Sequence, residues 1–234
     1  MNIVRNEKLI KRNSTIAKWT LMGGLLVLAG GMFISFRYPE QFALSLGALL
    51  LGFILSQVGI YYSNRWGRSP RPDEQIDAAL KGMDRKYSLH HYTTPVSHLL
   101  IGPSGLWVLM PYYQRGTIIY EKGRFKQRGG NWYLKLFAQE GLGRPEMEAA
   151  SEVEALTNFL KKKLPEDSLP PVQAALVFTS PRAAIDIPED ANPPAEAVLV
   201  KDLKDLVRKG GKTKLLSPEK IKVIEDALGV NQPA

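Results

Sequence analysis

The chain has 234 residues and no Cys, which excludes disulfides, thiolate metal sites and a Cys nucleophile. Its net charge of +8 resembles that of a nucleic-acid binder, yet residues 1–18 hold half of the excess in Arg5, Lys8, Lys11, Arg12 and Lys18 against Glu7. Residues 63–234 carry 25 basic and 21 acidic side chains, so whole-chain charge says little about a nucleic-acid partner.

Residues 1–18 read as a basic tail. Trp19 to Phe36 is uncharged and apolar, and after the short turn RYPEQ so is Phe42 to Tyr62. Each run is near the roughly 20 residues that cross a bilayer as a helix, so residues 19–62 are predicted to form a two-span hairpin. A signal peptide or a buried soluble hairpin are the alternatives, and the second span speaks against a signal peptide. Basic flanks before the first run and after the second, around a neutral loop, place both termini in the cytoplasm and the hairpin in the cytoplasmic membrane. Trp19, Tyr38, Tyr61, Tyr62 and Trp66 fall at the expected interfaces. Gly23, Gly24, Gly30 and Gly31, with Gly47, Gly52, Ser56 and Gly59, supply the small residues that let helices approach in lipid, for a self-packed hairpin or an oligomer. No ionisable side chain lies inside either run, so the spans read as an anchor and not as a transport path. Residues 63–72 form a basic linker suited to the anionic inner leaflet.

Residues 73–228 read as an α/β domain with a mixed central sheet. A helix is predicted over Asp73–Met83, strands over Tyr87–Tyr92, Val96–Ile101 and Leu106–Met110, and a strand pair over Gly116–Glu121 and Arg124–Gln127. Helical spacing predicts a helix over Pro145–Leu164, then strands at Val172–Thr179 and Ala197–Val200 and a helix to Leu228 that starts at Ser217-Pro218. The three His residues are His90, His91 and His98. His90 and His91 are neighbours in a strand and point to opposite faces, which suits half-exposed packing residues better than metal ligands.

The run PVSHLLIGPSGLWVLMPYYQRGTI, with the helix after Pro145 and the strand Ala174–Thr179, resembles the nuclease-related domain (NERD) family over roughly residues 73–228. That resemblance implies a restriction-endonuclease-like fold in which strand carboxylates hold Mg²⁺ and a Lys orients water. The family's Asp-His falls on Ser97 and His98, its Glu-x-Lys on Met110-Pro111-Tyr112, and its helix Gln on Glu148, while Glu74 matches the acid of the first helix. Ser97 is a poor ligand for a hard cation, and Met110 and Tyr112 replace neither a carboxylate nor an ammonium. No Asp or Glu occurs between Arg85 and Tyr120 in any register. A catalytically inactive relative is therefore expected, with no metal and no cofactor, acting as a binding or interaction module for a protein partner of unknown identity. The alternative is an active nuclease that gathers Glu74, Glu121 or Glu148 into a migrated site and uses Mg²⁺.

Lys122, Arg124, Lys126 and Arg128 alternate with Gly123, Phe125 and Gln127, so a strand would put all four cations on one face, with Trp132, Tyr133 and Lys135 following. Such a stripe fits nucleic acid or anionic lipid, and before either a solvated edge strand, where cations block aggregation.

Overall fold

The structure is a computed structural model that describes residues 1–129, 141–165, 168–188, 190–213 and 216–229. It divides into two compact units, Asn6–Pro72 and a second made of Met1–Arg5 with Asp73–Ala234.

The first unit is helical. Helix α1 spans Glu7–Arg37 and α2 spans Phe42–Tyr62, joined by a short 3₁₀ turn over Pro39–Gln41. The expected basic tail is not a tail: residues 2–5 form a strand, and residues 7–18 are the first three turns of α1. The helix starts there because the Asn6 side chain accepts from the Leu9 N–H at 3.0 Å and Glu7 sits in the positive first turn. Both helices are long and apolar enough to cross a membrane, and only 11% and 17% of their most apolar windows are buried.

The two helices run antiparallel, and the glycines decide how closely. Gly24 lies against Ser56 and Gly52, Gly31 against Ala48 and Leu49, and Gly59 against Leu21. A Cβ on Gly24 would meet the Ser56 backbone nitrogen at 2.9 Å, and one on Gly52 would meet that of Leu28 at 2.9 Å. Gly23, Gly30 and Gly47 face open space, so the hairpin uses one glycine of each adjacent pair. In detergent micelles, Gly24→Ala or Gly52→Ala is expected to weaken the hairpin by about 1–3 kcal/mol, because backbones must part. Gly23→Ala and Gly30→Ala should leave it unchanged. Denaturing-detergent titration followed by circular dichroism reads both, and equal effects at Gly23 and Gly24 would remove this assignment of faces.

The second unit holds a six-stranded mixed sheet in the order β1-β2-β3-β4-β7-β9. Its strands are β1 (Asn2–Arg5), β2 (Ser88–His91), β3 (His98–Gly102), β4 (Gly105–Tyr112), β7 (Val172–Phe178) and β9 (Glu196–Leu199). Strands β2, β3 and β4 are antiparallel, whereas β1 joins β2, β7 joins β4 and β9 joins β7 in parallel. A second sheet of order β6-β5-β8 contains β5 (Gly116–Glu121), β6 (Arg124–Arg128) and β8 (Ala183–Asp186). The pair about Lys122-Gly123 thus belongs to its own small sheet. Strands β1 and β8 have no counterpart in the sequence reading, since NIVR and AAID are too short and too polar to stand out.

Among the described residues four helices complete the unit: α3 (Pro72–Ala79), α4 (Pro145–Lys161), α5 (Leu203–Thr213) and α6 (Pro218–Leu228). Strand alternation sorts the core into two sides. Leu89, Leu100, Trp107, Leu109 and Val177 pack with Ile76 and Leu80 of α3 and Leu203 and Val207 of α5. Leu99, Ile101, Leu106 and Val108 pack on the other side with Leu156 and Leu160 of α4 and Ile224 and Leu228 of α6. Helix α3 ends earlier than predicted, and the chain turns away through Gly82, whose φ of +79° suits glycine.

Candidate functional site

The parallel pairing of β1 with β2 sets Arg5 beside His91, and the antiparallel pairing of β2 with β3 sets His91 beside His98. Three residues distant in sequence thus form one row across the sheet, on the side that α3 covers. Helix α3 presents Asp73 and Asp77, four residues apart and so on one helix face. Arg5 contacts both: its guanidinium bridges Asp77, and its Nε lies 3.7 Å from the fully buried Asp73 carboxylate. Asp77 Oδ1 lies 3.0 Å from His91 Nε2, and His91 Nδ1 lies 2.7 Å from His98 Nδ1. The carboxylate calls for a proton on His91 Nε2. The facing Nδ1 atoms then need one bare and one protonated nitrogen, because two N–H groups cannot share a 2.7 Å contact. The Tyr92 ring packs edge-on against His98 at 4.9 Å. Arg5 and Asp77 also line a shallow recess of about 380 Å³ with Met1, Ile3, Lys81 and Met83, so this polar chain runs from solvent into the core.

The expectation of half-exposed histidines is overturned: His90, His91 and His98 are at most 2% exposed. Helix α3 covers the face that holds His91 and His98, and β1 makes β2 an interior strand. His90 points to the opposite side, towards α6, where Ser88 donates to Glu225 at 2.5 Å. Among the described residues neither ring nitrogen of His90 has a hydrogen-bond partner. Burial, and secondarily the nearby His91, push its pKa down from 6.5 to about 4.

The positions matched to the family lie elsewhere. Ser97 immediately precedes β3, and its carbonyl accepts from the Tyr92 N–H at 2.8 Å. Met110 packs among apolar side chains where two core clusters meet. Tyr112 is buried, 5.6 Å from the Phe178 ring, and its hydroxyl donates to Glu148 Oε2 at 2.6 Å. Met110 and Tyr112 therefore share the α4 side of the sheet with Glu148. A thioether, a phenol and one carboxylate already accepting that phenol do not fit Mg²⁺, which requires several hard oxygen ligands. Glu74 stands on α3 across the sheet from Glu148, and Glu121 belongs to the second sheet, so the three acids considered for a migrated site lie on different elements. Among the described residues no group of three or more His, Asp or Glu is placed to share a cation.

The basic stripe is shorter than expected. Lys122 has φ +52° and Gly123 φ +75°, a two-residue hairpin turn that lifts Lys122 off the strand. Arg124, Lys126 and Arg128 remain on one exposed face of the edge strand β6, above the buried Phe125. Glu121 pairs with Lys126 at 3.4 Å and with Arg128 at 2.5 Å. Trp132, Tyr133 and Lys135 lie outside the described residues.

The Arg5–Asp73–Asp77–His91–His98 chain escaped sequence reading because it depends on strand register. The one readable clue was the i, i+4 spacing of Asp73 and Asp77. Comparisons with family models, with curated proteins and with solved structures gave no match to this chain.

His90 yields a pH prediction. Its folded pKa is lowered, so the unfolded chain binds more protons in acid, and the stability it contributes is present above 6.5 and lost as pH falls towards 4. The loss over that interval is about 3 kcal/mol. Urea midpoints of the full chain between pH 7 and 4 should fall, and His90→Leu should flatten the fall. A profile unchanged by the substitution would remove His90 as a cause.

Proposed function

We propose that this protein is a membrane-anchored cytoplasmic domain of restriction-endonuclease-like descent that has lost nuclease chemistry and serves as a binding or interaction module. The observation that carries this reading is the Tyr112–Glu148 hydrogen bond beside Met110: where the resembling family needs a carboxylate and a lysine, this chain packs a thioether and a phenol. The succession of α3, three antiparallel strands, α4 and the parallel strand β7 supports the fold assignment.

Anchoring is supported by the large apolar side chains that α1 and α2 leave uncovered, among them Leu25, Leu26, Phe33, Phe36 and Phe53. Orientation follows from connectivity. Strand β1 precedes both helices and pairs with β2, which follows them, so two crossings must return the chain to the side it left. The flanking cations make that side the cytoplasm. Protease added to right-side-out vesicles should spare the domain until the membrane is permeabilised, and digestion of intact vesicles would overturn the orientation.

The test of chemistry requires the full chain, because a fragment starting at residue 72 lacks β1 and with it Arg5. In micelles with Mg²⁺ or Mn²⁺, no cleavage of single-stranded, duplex or branched DNA is expected. Cleavage that disappears in Glu148→Ala would overturn the reading. The same preparations test β6, where Glu121 pairs with two of the three cations: Arg124→Glu with Lys126→Glu should leave binding to DNA and to anionic vesicles unchanged. DNA binding lost in that variant, with a log–log salt slope of roughly −0.7 to −0.9 per phosphate, would instead make β6 a polyanion site.

A further inference from the structure

Every histidine of this chain is buried in two adjacent strands beside the N-terminal strand. We propose that the Arg5–Asp77–His91–His98 chain, with His90 on the reverse face of β2, is a proton-operated latch that holds β1 in the sheet and releases it in acid.

Strand β1 is short, with Asn2 and Ile3 exposed at the edge of the sheet. Its register pairs Val4 with His90 and Arg5 with His91, so its last two residues lie against both histidines of β2. Apart from strand pairing, its described ties are the Asn2 N–H donating to the Tyr87 carbonyl at 2.9 Å, the contact of the Met1 amine with Met83 O at 3.4 Å and the Arg5 bridges to Asp73 and Asp77. Asp77 is shared, with Oδ2 serving Arg5 and Oδ1 serving His91. The latch and the imidazole pair therefore draw on one carboxylate.

Proton counting gives the direction. The 2.7 Å contact between the two Nδ1 atoms sets the limit sterically, since it admits one N–H between the rings. A pair neutral or singly charged keeps its hydrogen bond, and a doubly charged pair must separate. On the other face, Glu225 of α6 engages Ser88, two residues from His90. The latched state thus holds at most one proton beyond the three neutral rings, while an open state with a hydrated β2 can hold three. Asp77, partly exposed at the recess beside Arg5, gives protons a route to the pair. Each extra proton bound by the open state changes the latched-to-open ratio tenfold per pH unit, so two protons change it about 100-fold.

Hydrogen–deuterium exchange on the full chain in micelles, corrected for intrinsic rates, tests the latch. From pH 8 to 5 the β1 amides are expected to lose protection below about pH 6, near the ordinary histidine range. Their protection should change by up to about 100-fold per pH unit, while β4 and β7 keep theirs. Combining His90→Leu with His98→Asn should reduce the response to about tenfold per unit or less. Arg5→Ala should unlatch β1 even at pH 8. Protection of wild-type β1 down to pH 5 would overturn the proposal. So would simultaneous loss in β4 and β7, an unaltered response in the double variant, or an Arg5→Ala protein with β1 still protected.

Discussion

The attachment of Arg5 to Asp73 and Asp77 is the contact on which the arrangement of the domain depends. It closes the first strand against the first helix of a unit whose remaining residues begin some seventy positions later. Without β1, β2 would be the sheet edge, and two carboxylates under α3 would lose the guanidinium beside them. A buried carboxylate that loses its cation is destabilised far more than the pair contributes while intact, because desolvation is not offset. Residues 2–5 are thereby part of the domain's sheet.

This constraint has a consequence for the helical unit. A chain that begins in the sheet, leaves it at Asn6 and re-enters it at Asp73 must make an even number of crossings if its helices span a bilayer. Two runs satisfy this. Glycines on one face of each helix let the backbones approach within the van der Waals contact that lipid-embedded helices rely on, since apolar burial provides no net drive there. The outward faces remain apolar and uncovered, as contact with acyl chains requires.

The two sides of the central sheet have diverged in chemistry. On the α4 side, Met110, Tyr112 and Glu148 form a packed and hydrogen-bonded patch unsuited to a hard cation. On the α3 side, arginine, aspartates and paired imidazoles form a polar chain in the interior. Buried polar groups of this kind are stable only when each finds a partner, and every residue of the chain from Arg5 to His98 contacts at least one other member. His90, which has no such partner, is the exception and stays neutral.

Hydropathy and turn chemistry determined much in advance. Two long apolar helices, an α/β domain, the strands around Gly102-Pro103-Ser104-Gly105 and the helix after Pro145 follow from periodicity and local propensity, which act over a few residues. The absence of Asp and Glu between Arg85 and Tyr120 was equally legible, because residue identity alone decides whether an oxygen ligand exists. Tertiary structure decided the rest. Strand β1 looked like the start of a basic tail, since four residues carry too little pattern to signal a strand. The alignment of Arg5, His91 and His98 depends on register between strands separated by two long helices. The meeting of Tyr112 with Glu148, the lifting of Lys122 out of its stripe by a left-handed turn and the capture of Lys126 and Arg128 by Glu121 likewise arise from pairing. Local sequence fixes which face a side chain takes along its own element. Only the folded sheet fixes what it meets there.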